Sequence, residues 1–201
     1  NMNANEVIAN RAIQLLGGVV GSKTPVHPND HVNLSQSSND VIPTTIHVAA
    51  TLALREALLP ALTGLHAALL EKADAFEGIV KTGRTHLQDA VPMSMGDEFH
   101  GFATNLDEEL ARIEDAKRLL SEVNMGATAI GTSVNAPEGY PDLVVKYLRE
   151  ITGIELKLAA DLVEATSDAG AYVQLSGVLK RTAVKLSKIC NDLRLLASGP
   201  R

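Results

Sequence analysis

Apolar positions recur with a helical period along most of the chain, interrupted by short polar islands. Val7, Ile8, Ala12 and Leu15 fall at helical spacing within residues 5–16, and Gly17-Gly18 supply a C-terminal stop. Residues 19–36 are rich in Gly, Pro, Asn and Asp and read as loop. A helix is predicted from about Asn39 to Leu59, with Pro43 in its first turn, where a missing N–H does little harm. Pro60 either kinks this helix or begins a second one that runs to Phe76. The next predicted helix covers Ser94 to Glu122, with Asp97 and Glu98 early and Arg112, Lys117 and Arg118 late, as the macrodipole favours. Asn124 to Asn135, rich in Gly, Thr and Ala, reads as a tight connector. Pro141 to Thr152 reads as a short helix ending at Gly153.

The last predicted helix starts near Asp161 and would be about 55 Å long at about 1.5 Å per residue. Tyr172, Ser176, Leu179, Ala183, Leu186, Cys190, Leu193 and Ala197 step alternately by four and three, a coiled-coil seam. A second apolar line, Leu175, Val178, Ile189 and Leu196, lies beside it. A helix apolar on two sides over that length needs more partners than 201 residues supply, so homo-oligomerisation through a helical bundle is expected.

Composition agrees with an all-α, long-helix bundle. Hydrophobic residues make up 45% but aromatics only 3%, so the core is Leu, Val, Ile and Ala, which suits close helix packing. The net charge of −6, with no basic stripe, argues against nucleic acid as a partner. Lone Cys190 forms no internal disulfide and fits a reducing, cytoplasmic setting; its place on the seam reads as a small core hydrophobe. No uninterrupted apolar run is long enough to cross a membrane, no signal-peptide pattern is present, and no membrane partner is expected. The polar start at Asn1 and the helix stop at Ser198-Gly199-Pro200-Arg201 read as the ends of an internal fragment, with 1–201 a single helical domain.

Two polar islands carry candidate chemistry. Ser37-Ser38-Asn39-Asp40, behind Gln36, opens a long helix, where unpaired first-turn N–H groups and the macrodipole favour an anion. One cap needs only one such residue; the cluster leaves anion binding and plain capping both open. In the second island, Gly83 to Asp89, Thr85, Gln88 and Asp89 surround His86 with groups able to fix a tautomer and line a polar pocket. His27 precedes Pro28-Asn29-Asp30, which reads as a turn; His31, His47, His66 and His100 lack comparable company. Lys180, Arg181, Lys185 and Lys188 read as a solvated or subunit-facing stripe. Gly126 to Gly131, with no strand predicted before it, is no dinucleotide fingerprint, and no metal-ligand spacing is evident.

These segments resemble the fumarase/aspartase superfamily, in its class II fumarase and aspartate ammonia-lyase branch. The resemblance rests on Asn1 through Asn10, His27 through Asn33, Ser35 through Asp40, Gly83 through Ala90, Gly126 through Asn135 and Ser187 through Arg201. It implies the central helical domain of a homotetramer, with each active site shared among three subunits. The implied reaction is a reversible anti elimination giving fumarate through an aci-carboxylate dianion, with a small dicarboxylate substrate and no organic cofactor. By resemblance, Ser37 and Ser38 bind one substrate carboxylate and Asn39 holds the leaving amino or hydroxyl group. Thr85 contacts the other carboxylate, and His86 lies beside the leaving group and assists its charge or proton. His27, Asn29 and Asp30 match a second, outer dicarboxylate site.

The family's Gly-Ser-Ser loop, with its serine base and its Lys and Asn, is expected after Arg201, and a Thr-containing segment before Asn1. The 201-residue chain is therefore expected to be inactive by itself. Asn124 to Gly131, Glu164 to Asp168 and Lys188 to Leu196 look more like aspartases. Ser37-Ser38-Asn39 has the fumarase form, since many aspartases place Thr in the middle; His86 occurs in fumarases and in some aspartases. The longer helix-level similarity favours aspartase, with class II fumarase as the alternative. A non-catalytic oligomerisation core or dicarboxylate binder is the third reading.

Overall fold

Helix dominates, as the periodicity predicts. In this computed structural model, residues 1–199 are described. The helices are α1 (Met2–Leu15), α2 (Ser38–Ala53), α3 (Leu59–Phe76), α4 (Met95–Leu119), α5 (Tyr140–Thr152), α6 (Leu162–Ser167) and α7 (Gly170–Leu196). Residues 28–32 and 54–58 wind in wider π turns. Among the described residues there are also four short strands: β1 (Val80–Thr85), β2 (Gln88–Ser94), β3 (Glu122–Val123) and β4 (Lys157–Leu158). Of the expected helix stop, Pro200 and Arg201 lie outside the described residues.

The chain expected as one domain groups into two compact units, Asn1–Thr51 with Leu120–Ala169, and Leu52–Leu119 with Gly170–Arg201. The first unit packs α1 beside the turn at 28–32 and pairs β3 with β4 in parallel. Its core holds Ile13, Leu120, Val123, Ala127, Val145 and Leu156. The second unit is a bundle of α3, α4 and α7 with the β1–β2 hairpin. Leu69, Ala73, Phe102, Ala103, Leu106 and Ile189 form its core, and Phe99 stacks edge-on between Phe76 and Phe102 with centroids 5.1 and 5.7 Å away.

Several expectations are corrected. The segment 80–94, within which Gly83 to Asp89 is expected only as a polar island, is an antiparallel hairpin. The two-residue strand β3 immediately precedes Asn124, where none was predicted; it pairs only with β4. The last helix is broken at Asp168-Ala169, so α7 spans 27 residues, about 40 Å rather than about 55 Å. Asp161 instead caps α6, its Oδ1 accepting from the N–H groups of Val163 and Glu164. On α7 the line that is buried within the chain is the second one, with Val178, Thr182 and Ile189 inside. Leu179 and Cys190 of the predicted seam are exposed, so Cys190 is not a core residue of this chain.

Pro60 does not end the preceding helix. Helical backbone runs from Ser38 to Phe76, and the turn just before Pro60 widens, which accommodates a residue without an N–H. By length and composition this stretch is apolar enough to cross a membrane, where the sequence predicts no uninterrupted apolar run of that length. Its most apolar window has mean hydropathy 1.4 and is only 17% buried within the chain, so most of that apolar surface is exposed.

The basic stripe on α7 is also partly internal. Arg181 Nε and Lys185 Nζ lie 2.9 and 2.8 Å from Oε1 of Glu109, a fully buried carboxylate on α4. Both approach outside the hydrogen-bonding directions of that oxygen, so the contact is ionic. Thr182 Oγ1 shares its proton between Glu109 Oε2 and the Val178 carbonyl.

Candidate active site

The Ser37–Asp40 island becomes the entry to α2. Helix begins at Ser38, and the Ser37 carbonyl accepts the first helical bond, from Val41 N–H at 3.0 Å. Ser37 Oγ accepts the Asn39 N–H at 3.2 Å, an ordinary capping contact. Ser38 is exposed, and neither its hydroxyl nor its N–H has a partner among the described residues. Capping therefore employs Ser37 and leaves Ser38 as an unused donor at a helix N-terminus.

Asp40 is fully buried and joins two segments. Its Oδ1 accepts from Ser37 N–H at 2.9 Å; its Oδ2 accepts from Gly126 N–H at 3.2 Å and Thr128 N–H at 2.9 Å. The connector held this way is strained. Thr128, a β-branched residue, has φ +61°, a conformation that costs about 1–3 kcal/mol and persists only where the surroundings impose it. Gly126 and Gly131 have φ +91° and +93°, and a Cβ on Gly131 would meet Val163 Cα at 2.3 Å. Only glycine lets the connector lie against the start of α6.

Asn39 crosses to the same connector. Its Nδ2 donates to the Ala129 carbonyl at 2.7 Å. A carbonyl oxygen only accepts, so the nitrogen of the Asn39 amide must face it. Asn39 Oδ1 then remains as an acceptor without a protein donor among the described residues. Pro43 lies beyond the first turn, contrary to expectation: in a helix starting at Ser38, its missing N–H is the one that would reach the Asn39 carbonyl. Asn124 Nδ2 takes that place at 3.1 Å, and bonds Thr166 Oγ1 at 3.1 Å.

Between these segments lies a cleft of about 720 Å³. One wall carries Asn29, Asp30 and Ser37; the other carries Thr128, Thr132 and Asn135. Ser37 thus shares a cavity with two of the three residues assigned to an outer site. The third, His27, caps the turn at 28–32, its Nδ1 accepting from the N–H groups of Asn29 and Asp30, both at 3.2 Å. That makes Nδ1 the unprotonated nitrogen, so the Asp30 carboxylate 3.3 Å away is not its ion-pair partner in this state. Ring-to-backbone bonding was not foreseen for His27, nor was the role of Asp40 and Asn124. An Asp three residues after Ser37, spaced as in a capping box, was the available signal for Asp40.

Thr85 and His86 lie in the other unit. Thr85 ends β1 and pairs with Gln88, while His86 and Leu87 form the two-residue tip with φ +51° and +61°. Left-handed values at both tip residues define a type I′ turn, usually made by Asn-Gly. His86 opens onto a second cavity of about 410 Å³, shared with Lys81, Arg84, Glu98 and Asp192. Lys81 and Glu98 pair across its floor. Gln88 and Asp89, expected to fix the His86 tautomer, make no hydrogen bond to its ring. Among the described residues no group of three or more His, Cys, Asp or Glu is placed to hold a metal ion.

This arrangement meets known proteins over its whole length. The sequence pattern of a lyase family matches residues 1–201. The chain belongs to the fumarase/aspartase lyase superfamily. Aspartate ammonia-lyase of Pseudomonas aeruginosa is 57% identical over 202 residues, covering 100% of this chain and 42% of the relative. Class II fumarate hydratase of Thermosynechococcus vestitus is 54% identical over 201 residues, covering 100% and 43%. A solved structure described as fumarate lyase:delta crystallin from Brucella melitensis, bound to cobalt, superposes with a TM-score of 0.95 at 53% identity, covering 99% of this chain and 43% of that one. The chain spans less than half the length of these relatives, and the fumarase/aspartase fold is shared with them. Ammonia-lyase and hydratase relatives stand at similar identity, so the likeness places the chain in a lyase family without choosing a leaving group.

Proposed function

We propose that the protein built around this chain is an aspartate ammonia-lyase, which converts L-aspartate reversibly to fumarate and ammonia. The observation that carries this reading is the acceptor on Asn39. With Nδ2 committed to the Ala129 carbonyl, Oδ1 suits a leaving group that offers N–H donors. An ammonium brings three donors to it, a hydroxyl one.

In this proposal Ser37 and Ser38 hold one carboxylate at the start of α2, and Thr85 contacts the other. A base outside this chain removes a proton from the carbon beside one carboxylate. The electron pair moves into that carboxylate as an aci-carboxylate dianion, then returns to form the double bond as the C–N bond breaks. Donors fixed where the extra charge develops lower the barrier. His86 serves the departing ammonia, and Asn29 and Asp30, with His27 behind them, form an outer dicarboxylate site. The enzyme is a cytoplasmic homotetramer with sites shared among three subunits. The exposed seam residues Leu179 and Cys190, and the apolar surface of 38–76, support a bundle made with further copies.

A second reading, class II fumarase, is favoured by Ser38, which has the fumarase form. Incubation of the complete protein with L-aspartate separates the two: an ammonia-lyase releases fumarate and ammonia in equal amounts, whereas a fumarase releases neither and forms fumarate from L-malate.

A further inference from the structure

Asp40 has no place in the reaction just described, yet it is fully buried and each of its oxygens serves a different wall of the 720 Å³ cleft. Oδ1 accepts from Ser37, on one wall; Oδ2 accepts from Gly126 and Thr128, at the base of the other. Ser37 and Thr128 both line the cleft. A helix cap needs only the first contact. The second holds Thr128 at φ +61°, which a β-branched residue does not keep unaided.

We infer that Asp40 is a positioning residue for dicarboxylate binding and elimination, fixing the separation of the Ser37 wall from the Thr128 wall. The inference rests on the proposed function for Ser37 and Asn39. One carboxylate sets the Ser37 backbone and, through the 126–129 connector, the carbonyl of Ala129 that orients the Asn39 amide. The donor for a substrate carboxylate and the acceptor for the leaving group thus share one anchor. An asparagine at position 40 keeps a single acceptor oxygen and turns an N–H toward a backbone N–H at the other wall, so one wall is released. Glutamate keeps the charge and both acceptors but lengthens the side chain by one methylene, which moves the two walls apart.

The test uses the complete protein with D40N, D40E and, as a control for lost stability, the core truncation L156A. kcat, KM, melting temperature and binding of succinate, an unreactive dicarboxylate, are measured for each. Displacement of a reacting group by about 1 Å costs about 100-fold in rate. D40N is expected to lose about that much in kcat/KM, mostly in kcat, and to bind succinate at least about tenfold more weakly. L156A, at an equal or greater loss of melting temperature, is expected to keep kcat per folded enzyme. D40E is the decisive variant if D40N does not fold: it is expected to fold and still lose about tenfold or more in kcat. Wild-type constants in folded D40N or D40E, or an equal kcat loss in L156A, would overturn the inference. An inactive wild type contradicts the proposed function instead, and the succinate comparison then decides the role of Asp40 by itself.

Discussion

The side-chain amide of Asn124 donates to the main-chain oxygen of Asn39 at 3.1 Å, in the place of the N–H that Pro43 lacks. A proline inside a helix and a buried asparagine on a distant connector are therefore one device, and the relationship is testable. N124A leaves a carbonyl without its donor and is expected to cost about 1–3 kcal/mol in urea unfolding. P43A restores a helical N–H to the same carbonyl, so the double variant is expected to lose clearly less than N124A alone. Strict additivity in this double-mutant cycle would contradict the account.

Glu109 gives a second prediction. Its carboxylate is 0% exposed on α4, with Arg181 and Lys185 of α7 beside it. Burial works against the charge of Lys185, but its contacts with Glu108 and Glu109 outweigh that and raise its pKa. Arg181 and Lys185 are partly exposed and keep Glu108 as a partner when Glu109 is removed. E109A is expected to destabilise the bundle by about 1–3 kcal/mol, and E109Q, which keeps the shape and an acceptor for Thr182, by less. Thermal unfolding of the two variants checks the order.

His47 makes stability depend on pH. Burial lowers its pKa below the ordinary 6.5, and a hydrogen bond to the Glu122 carbonyl, at 2.7 Å, offsets this only in part. The unfolded chain therefore takes up a proton that the folded one resists. The contribution of His47 is complete above about pH 6.5 and is lost as pH falls from there toward its lowered pKa. H47N keeps an N–H for the carbonyl but does not titrate. Between pH 7.5 and 5.5 the urea midpoint of H47N is expected to fall less than that of the wild type.

Long periodic elements were legible in the sequence: α1, α4 and α5 lie close to where residues 5–16, Ser94–Glu122 and Pro141–Thr152 predict them, although Val7, Ile8 and Leu15, which mark α1, are exposed and its buried face is Asn5, Ala9 and Ile13. The hairpin at 80–94 left no such trace. Its turn is His86-Leu87 rather than an Asn-Gly pair, Pro92 lies in one strand, and the bulge between Thr82 and Arg84 breaks the alternation. The break before α7 carried a local signal, since Asp168 is a capping residue and Gly170 a weak helix former, but the apolar seam runs on beyond it and outweighs that signal in the pattern. Within the site, the serine cluster was visible as unpaired donors at a helix start. The connector was not, since hydrogen bonds between residues 124–129 and residues 39–40 are set by tertiary structure.

The choice of leaving group is the central claim. Fumarate formation by the complete protein, followed by ultraviolet absorbance with L-aspartate and L-malate in separate reactions, tests it most directly. Turnover of aspartate is predicted at a higher kcat/KM than that of malate, whose hydroxyl brings the Asn39 acceptor one donor where an ammonium brings three. Turnover of malate with none of aspartate would contradict it and make the protein a fumarase.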